Sequence, residues 1–171
     1  IWDSLTEREQ AKRSLTAKEV WDRKTEAEKQ DIISKGSEAI RRASKEGSKL
    51  EKFILSELTK RNYKVQFHKE HWLKNQNLET DLFVEDLRTV IEVDGPSHFE
   101  PVWGEENLKK NQRSDLEKTG LVLAQGLVLI RIKQTKRISN RYLRSVLEKL
   151  LEVISSIEEK FPEENKRYIE I

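Results

Sequence analysis

The residues able to do chemistry are concentrated in one stretch, Thr89-Val90-Ile91-Glu92-Val93-Asp94-Gly95-Pro96-Ser97-His98. Val90, Ile91 and Val93 favour a buried strand, and Gly95-Pro96 ends it. Glu92 and Asp94 stand two apart, so on a strand both side chains leave by the same face. Carboxylates inside an apolar strand are expensive unless they are paired or hold a cation. A second run, Thr80-Asp81-Leu82-Phe83-Val84, carries its own acid among apolar residues. Side by side, the two strands bring Asp81, Glu92 and Asp94 together as oxygen ligands for a hard divalent cation. His98 follows Asp94 across the Gly-Pro turn and stands at the rim of the same cleft, placed to move a proton. Taken alone, a histidine after a turn is an ordinary surface residue.

The elements that must position these groups lie on either side. Ser48 opens a helical segment with Glu51 at its third position, the capping-box pattern, and Leu50, Phe53, Ile54, Glu57 and Leu58 follow at helical spacing. Glu51 thus has an ordinary role as a cap. Tyr63 to His68 alternates as a half-buried strand does. His68 and His71 have the spacing H-x-x-H, a weak metal signal outside a helix, and read as a strand end near the surface. Leu78 to Val84 and Thr89 to Val93 form a hairpin turning at Glu85-Asp86-Leu87-Arg88. Phe99 to Glu106 is an aromatic-rich loop, with Trp103 either a core residue or a wedge against a base step. Asn107 to Lys118 is a polar helix, closed by Thr119-Gly120, that shows Lys109, Lys110 and Arg113, with Asp115 close by. Val128 to Ile132 is a buried strand, Leu143 to Ile157 an amphipathic helix, and Tyr168 to Ile171 a short edge strand.

Alternation of these elements predicts an α/β domain with a mixed central sheet flanked by helices. It occupies residues 48–171, and residues 1–47 differ from it. There, apolar residues are sparse, with Trp2, Leu5, Leu15, Val20 and Trp21 as packing candidates, and hydroxyls precede acids as N-caps do at Ser4, Thr6, Thr16 and Thr25. The expectation is a set of short helices, the last running from Ser37 to Gly47. Its Arg41, Arg42 and Lys45 form either a solvated face or a contact with a DNA backbone. The segment Arg131 to Arg144 holds six cations and no acid, the clearest electrostatic argument for nucleic acid. The candidates for meeting DNA are therefore Lys109, Lys110, Arg113, Lys136, Arg137 and Arg141, with Arg41, Arg42 and Lys45.

Bulk properties exclude several classes. The chain of 171 residues has 37% charged residues, a net charge of +2 and no cysteine. Disulfides, zinc-thiolate sites and thiol nucleophiles are thereby excluded. No apolar run reaches spanning length, and the N-terminus is too charged for a signal peptide, so a soluble intracellular protein is expected. The absence of methionine and the start at Ile1 read as a piece of a longer protein.

Glu51 on its helix, Asp81 on its strand, Glu92-Val93-Asp94-Gly95 and His98 together resemble the nucleases of the PD-(D/E)xK superfamily. The resemblance is closer to the branch around the very short patch repair (Vsr) endonuclease. Within that branch the chain is most similar to the phage intron-encoded homing endonucleases of the EDxHD family, through Ala43-Ser44-Lys45-Glu46-Gly47-Ser48-Lys49-Leu50-Glu51 and Asp94-Gly95-Pro96-Ser97-His98-Phe99. It covers residues 48–132 firmly and the N-terminal helices loosely. It implies a restriction-endonuclease-like core and a Mg²⁺-dependent endonuclease acting on double-stranded DNA, with Mn²⁺ able to substitute. It further implies that Asp81 and Asp94 hold metal, that Glu51 orients a metal-bound water and that His98 is the general base. Glu92 competes with Asp94 for the ligand role, and Asp115 is the nearest match to the family's last acid. The lysine usual after the second acid is absent, since Val93 and Asp94 stand there. A homing enzyme is the leading expectation, in a bacterial host's cytoplasm if phage-encoded. A Vsr-like repair nickase is the second reading, with the absence of a zinc-binding residue set counting modestly against it, and an inactive DNA-binding module the third, though it would have no reason to keep acids in apolar strands. Cutting both strands with one site per chain requires a homodimer or sequential nicks.

Overall fold

The computed structural model describes residues 6–69 and 79–171, with backbone alone for residues 7, 10, 11, 37, 39–45 and 69. Two compact units divide the chain, Ile1–Glu46 and Gly47–Ile171. The first contains α1 (Glu7–Asp22) and α2 (Glu26–Glu46). Each starts at a capping box: Glu9 N–H meets the Thr6 hydroxyl while Glu9 caps Thr6 N–H, and Glu28 and Thr25 do the same. The helices are longer than the hydroxyl pattern suggested. Thr16 is no cap, because its hydroxyl donates to the Lys12 carbonyl one turn back, within α1. Ser37 lies inside α2. Leu15, Val20 and Trp21, expected to pack, are exposed. Trp2 and Leu5 lie outside the described residues, as do the side chains of Arg41, Arg42 and Lys45.

The second unit is a five-stranded mixed sheet in the order β1 (Val65–Lys69), β2 (Thr80–Val84), β3 (Thr89–Asp94), β4 (Val128–Lys133), β5 (Tyr168–Glu170). The first two neighbouring pairs are antiparallel and the last two parallel. Helix α3 (Lys49–Lys60) precedes β1, α4 (Glu105–Ala124) connects β3 to β4, and α5 (Asn140–Glu159) connects β4 to β5. Parallel neighbours require such crossovers, whereas β2 and β3 close through a tight turn in which Arg88 takes a positive φ of 50°.

Strand alternation divides the core into two layers. Leu82, Val84, Ile91, Val128, Ile130 and Ile132 face α3 and α5, which contribute Leu50, Ile54, Leu58, Leu143, Leu150 and Ile154. The opposite face carries Val90 and Leu129 against Val122 and Leu127. β3 and β4 have cores on both sides, which explains the consecutive apolar residues Val90-Ile91 and Val128-Leu129-Ile130. Helix α4 runs past Thr119-Gly120, where a stop was expected. Gly120 costs about 1 kcal/mol inside a helix, but the next turn buries Val122 completely, and Gly126 ends the segment at φ +70°. Trp103 lies on the loop before α4 and is 64% exposed, so it is not a core residue.

Leu150 is fully buried between α5 and the sheet. Leu150→Ala is expected to destabilise the unit by about 2–5 kcal/mol in urea unfolding, while Leu116→Ala, on the exposed side of α4, changes it by less than about 0.5 kcal/mol.

Candidate active site

Because Phe83, Val90 and Leu129 face α4, so do the residues two positions away from them, Asp81, Glu92 and Arg131, and Asp94 two further on. The sheet thus presents three acids to one helix, as expected from the spacing. Asp81 lies one residue past the last β2–β3 partner pair, Leu82–Ile91. Its Oδ2 accepts the Val93 N–H at 2.8 Å, so its carboxylate is drawn onto the edge of β3. Asp115 and Lys118, one turn apart on α4, descend on the same acids. Lys118 Nζ lies 2.7 Å from Glu92 Oε2. The other Glu92 oxygen, Oε1, is buried and has no hydrogen-bond partner among the described residues.

Two groups of ligand-type side chains result, each with its ligand atoms within 4.8 Å of one another. The first is Glu51, His68 and Asp81. Glu51 arrives there by being a cap. Its Oε1 accepts the Ser48 N–H at 3.1 Å, which leaves Oε2 facing His68 Nε2 at 3.0 Å. His68 Nδ1 lies 2.7 Å from Glu79 Oε1. Gly47 backs the group with φ +77°, and a Cβ there would fall 2.8 Å from Glu51 Oε2 and against the Phe67 ring.

The second group is Asp94, His98 and Asp115. Pro96–His98 is a single helical turn after β3, and it sets His98 Nδ1 2.8 Å from Asp115 Oδ2 and 3.7 Å from Asp94 Oδ1. Arg131, across the parallel β3–β4 pair, grips Asp94 with Nε at 2.7 Å and Nη2 at 2.6 Å, and reaches Asp115 at 3.2 Å. Beside this group opens a cavity of about 390 Å³ lined by His98, Phe99, Gln112, Leu116 and Tyr168.

Charge separates the two groups. Burial, then the neighbouring Glu51, push the Asp81 carboxyl up to about 6. Burial and Asp81 push Glu92 to about 8 against the pull of Lys118. The hydrogen bond that His98 donates to Asp115 leads in raising His98, while Asp115, though desolvated, is lowered by His98 and Arg131. Burial disfavours the charge of Lys118, but Glu92 outweighs it and raises the ammonium. The second group therefore contains its own guanidinium. The first has acids in excess of positive charge, and Asp94 is the acid least available to a cation, with both oxygens engaged by Arg131.

Spacing brought out Asp81, Glu92, Asp94 and His98; the structure adds His68, Glu79 and Lys118. The H-x-x-H pair was the signal for His68, which sits not at a bare surface but against two carboxylates; His71 lies outside the described residues. Lys118 could have been found as the next helical turn after Asp115. The basic segment also divides. Arg131 is an internal counter-ion and Lys133 pairs with Glu170, whereas Lys136, Arg137, Arg141 and Arg144 are exposed, as are Lys109, Lys110 and Arg113 on α4.

No protein-family model, no curated protein and no solved structure matches the chain.

In the folded protein Asp81 and Glu92 keep protons that their ordinary values, 3.8 and 4.5, would have them lose. The folded state binds more protons than the unfolded one, so stability falls as pH rises from about 4 to about 8. His98, raised by its partner, acts in the same direction as pH climbs through its own range. Thermal melts in chelator are expected to drop by several degrees between about pH 5 and about pH 8.5, and Asp81→Asn or Glu92→Gln to flatten the drop. A wild-type melting temperature that rises over this interval contradicts the assignment.

Proposed function

We propose that this chain is a divalent-metal-dependent endonuclease that hydrolyses phosphodiester bonds in double-stranded DNA, of the site-specific homing type. The observation that carries the proposal is the set Asp81, Glu92 and Lys118: a half-buried and a buried acid on neighbouring strands, the second bound by a lysine at 2.7 Å. Two acids and a lysine are the working set of the PD-(D/E)xK nucleases that the sequence resembles. Here the lysine comes from α4 rather than from the strand, which accounts for its absence after the second acid.

The residues fit a cation. Oxygen donors dominate, Glu92 Oε1 is buried without a partner, and Gly47 keeps the Glu51 side clear of a Cβ. Asp81, Glu92 and Glu51 are the holders of Mg²⁺ in this reading, in place of Asp94. When bound, the ion activates water and neutralises charge developing on the phosphate. The protein's own groups do the rest. His98 takes the proton of the attacking water at Nε2, the nitrogen turned away from Asp115. Asp115 is a positioning residue that fixes the ring, and Arg131 holds both Asp115 and Asp94 in register. Lys118 keeps Glu92 oriented. The exposed cations Lys109, Lys110 and Arg113, with Lys136, Arg137 and Arg141, supply phosphate contacts independent of base sequence.

Supercoiled plasmid incubated with protein and Mg²⁺ tests the reading. Linear product is expected from a pair of chains or from sequential nicks, with nicked circles alone marking a nickase. Asp81→Asn and Glu92→Gln are expected to abolish cleavage, and His98→Ala to slow it by about 10²–10⁴-fold. Intact plasmid with wild-type protein in both Mg²⁺ and Mn²⁺ overturns the proposal.

A further inference from the structure

We infer that His68 is a ligand of the cation held by Glu51 and Asp81, so that the site takes a first-row transition ion such as Mn²⁺ in preference to Mg²⁺. The inference rests on the reading of Asp81 as a metal ligand, but not on DNA cleavage. His68 lies near the end of β1, with one ring nitrogen and one carboxylate oxygen each from Glu51 and Asp81 within 4.8 Å of one another, and its Nε2 is 3.0 Å from Glu51 Oε2. Its other nitrogen is engaged by Glu79 Oε1 at 2.7 Å. A carboxylate on the far nitrogen is the usual support of a metal-bound imidazole, because it fixes which nitrogen faces the ion and increases its donor strength. The ring is further pinned by stacking on Phe67 at a centroid distance of 4.0 Å. The residue holds this pose at φ +48°, a left-handed backbone that histidine adopts more readily than most residues other than glycine.

A histidine between two glutamates is also what a structural ion pair looks like. What separates the two is the surplus of acid around it. Glu92 Oε1 is buried without a partner among the described residues, on the strand that pairs with the strand of Asp81. Lys118 answers one oxygen of Glu92 only. A protonated imidazole leaves Glu51, Asp81 and Glu79 two positive charges short; a divalent ion bound by the neutral ring leaves them one short. Ligand chemistry then selects the ion. Mg²⁺ favours all-oxygen octahedral surroundings, whereas a nitrogen ligand favours first-row transition ions, of which Mn²⁺ is the weakest-binding and the one that also suits carboxylates.

Isothermal titration of the full chain with Mn²⁺ and with Mg²⁺, paired with pulsed EPR of the Mn²⁺ complex, reads this directly. Wild-type protein is expected to bind Mn²⁺ at least about 10-fold more tightly than Mg²⁺ and to show imidazole nitrogen coupling. His68→Ala is expected to lose that coupling and about 10–100-fold in Mn²⁺ affinity, with little change for Mg²⁺. Glu79→Gln changes only the supporting group, on a half-exposed side chain, and is expected to weaken Mn²⁺ by about 10-fold even if His68→Ala fails to fold. Equal affinity for the two ions, no Mn²⁺ binding, or nitrogen coupling that survives His68→Ala overturns the inference. Mn²⁺ binding through His68 by a protein that never cuts plasmid leaves it standing and defeats the nuclease reading; cleavage in Mg²⁺ without nitrogen coupling does the reverse.

Discussion

Burying carboxylates between a sheet and a helix is the constraint on which this domain turns. Glu92 and Asp94 are 5% and 4% exposed, on a strand that is otherwise Thr, Val and Ile. An ionised carboxylate in such a place survives only with a counter-charge or donors supplied from nearby. Two different elements answer. Arg131 comes from the adjacent parallel strand to Asp94 and Lys118 from α4 to Glu92, while the third acid, Asp81, is met by the Val93 N–H. These contacts tie α4 to the sheet beside the small apolar layer of Val90, Val122, Leu127 and Leu129. Removing one partner of a buried pair costs about 3–5 kcal/mol, because the remaining charge is left uncompensated. The polar seam therefore sets where α4 sits as much as its apolar residues do.

The same bookkeeping divides the seam in function. Asp94, His98 and Asp115 surround a guanidinium, a self-contained arrangement suited to hold an imidazole in one orientation and manage a proton. Glu51, Asp81 and Glu92 are short of positive charge, and two of them are raised for that reason as well as by burial. Strongly perturbed acids grouped in this way mark a candidate functional site, a feature that structural ion-pair networks share. Neutral proton-handling on one side and uncompensated acid on the other, joined by α4 and β3, are the parts that metal-assisted hydrolysis asks for.

Local patterns made much of this legible. The Ser48–Glu51 cap, the two acid-bearing strands, the hairpin between them, the long amphipathic helix and the final edge strand all follow from spacing and turn residues, and all occur. What spacing could not supply is partnership across the fold. Arg131 reads as part of a surface patch until the parallel register sets it against Glu92 and Asp94, where its charge is consumed. Lys118 is silent until α4 crosses the sheet. His68 is one of two weakly spaced histidines until the cap residue Glu51, seventeen positions earlier, turns its free oxygen toward it. Gly120 and Trp103 mislead in the opposite sense: tertiary burial of Val122 carries the helix through the glycine, and the tryptophan stays in solvent. Residues with a local job, such as a cap or a turn, declare themselves; residues whose job is to answer a distant charge do not.

The most direct measurement is the anomalous density of a crystal soaked in Mn²⁺. The account predicts a peak among Glu51, His68 and Asp81, within reach of Glu92 Oε1, with the Arg131–Asp94 pair intact. A peak between Asp94 and Asp115 with Arg131 displaced, or no peak near either group of acids, would contradict it.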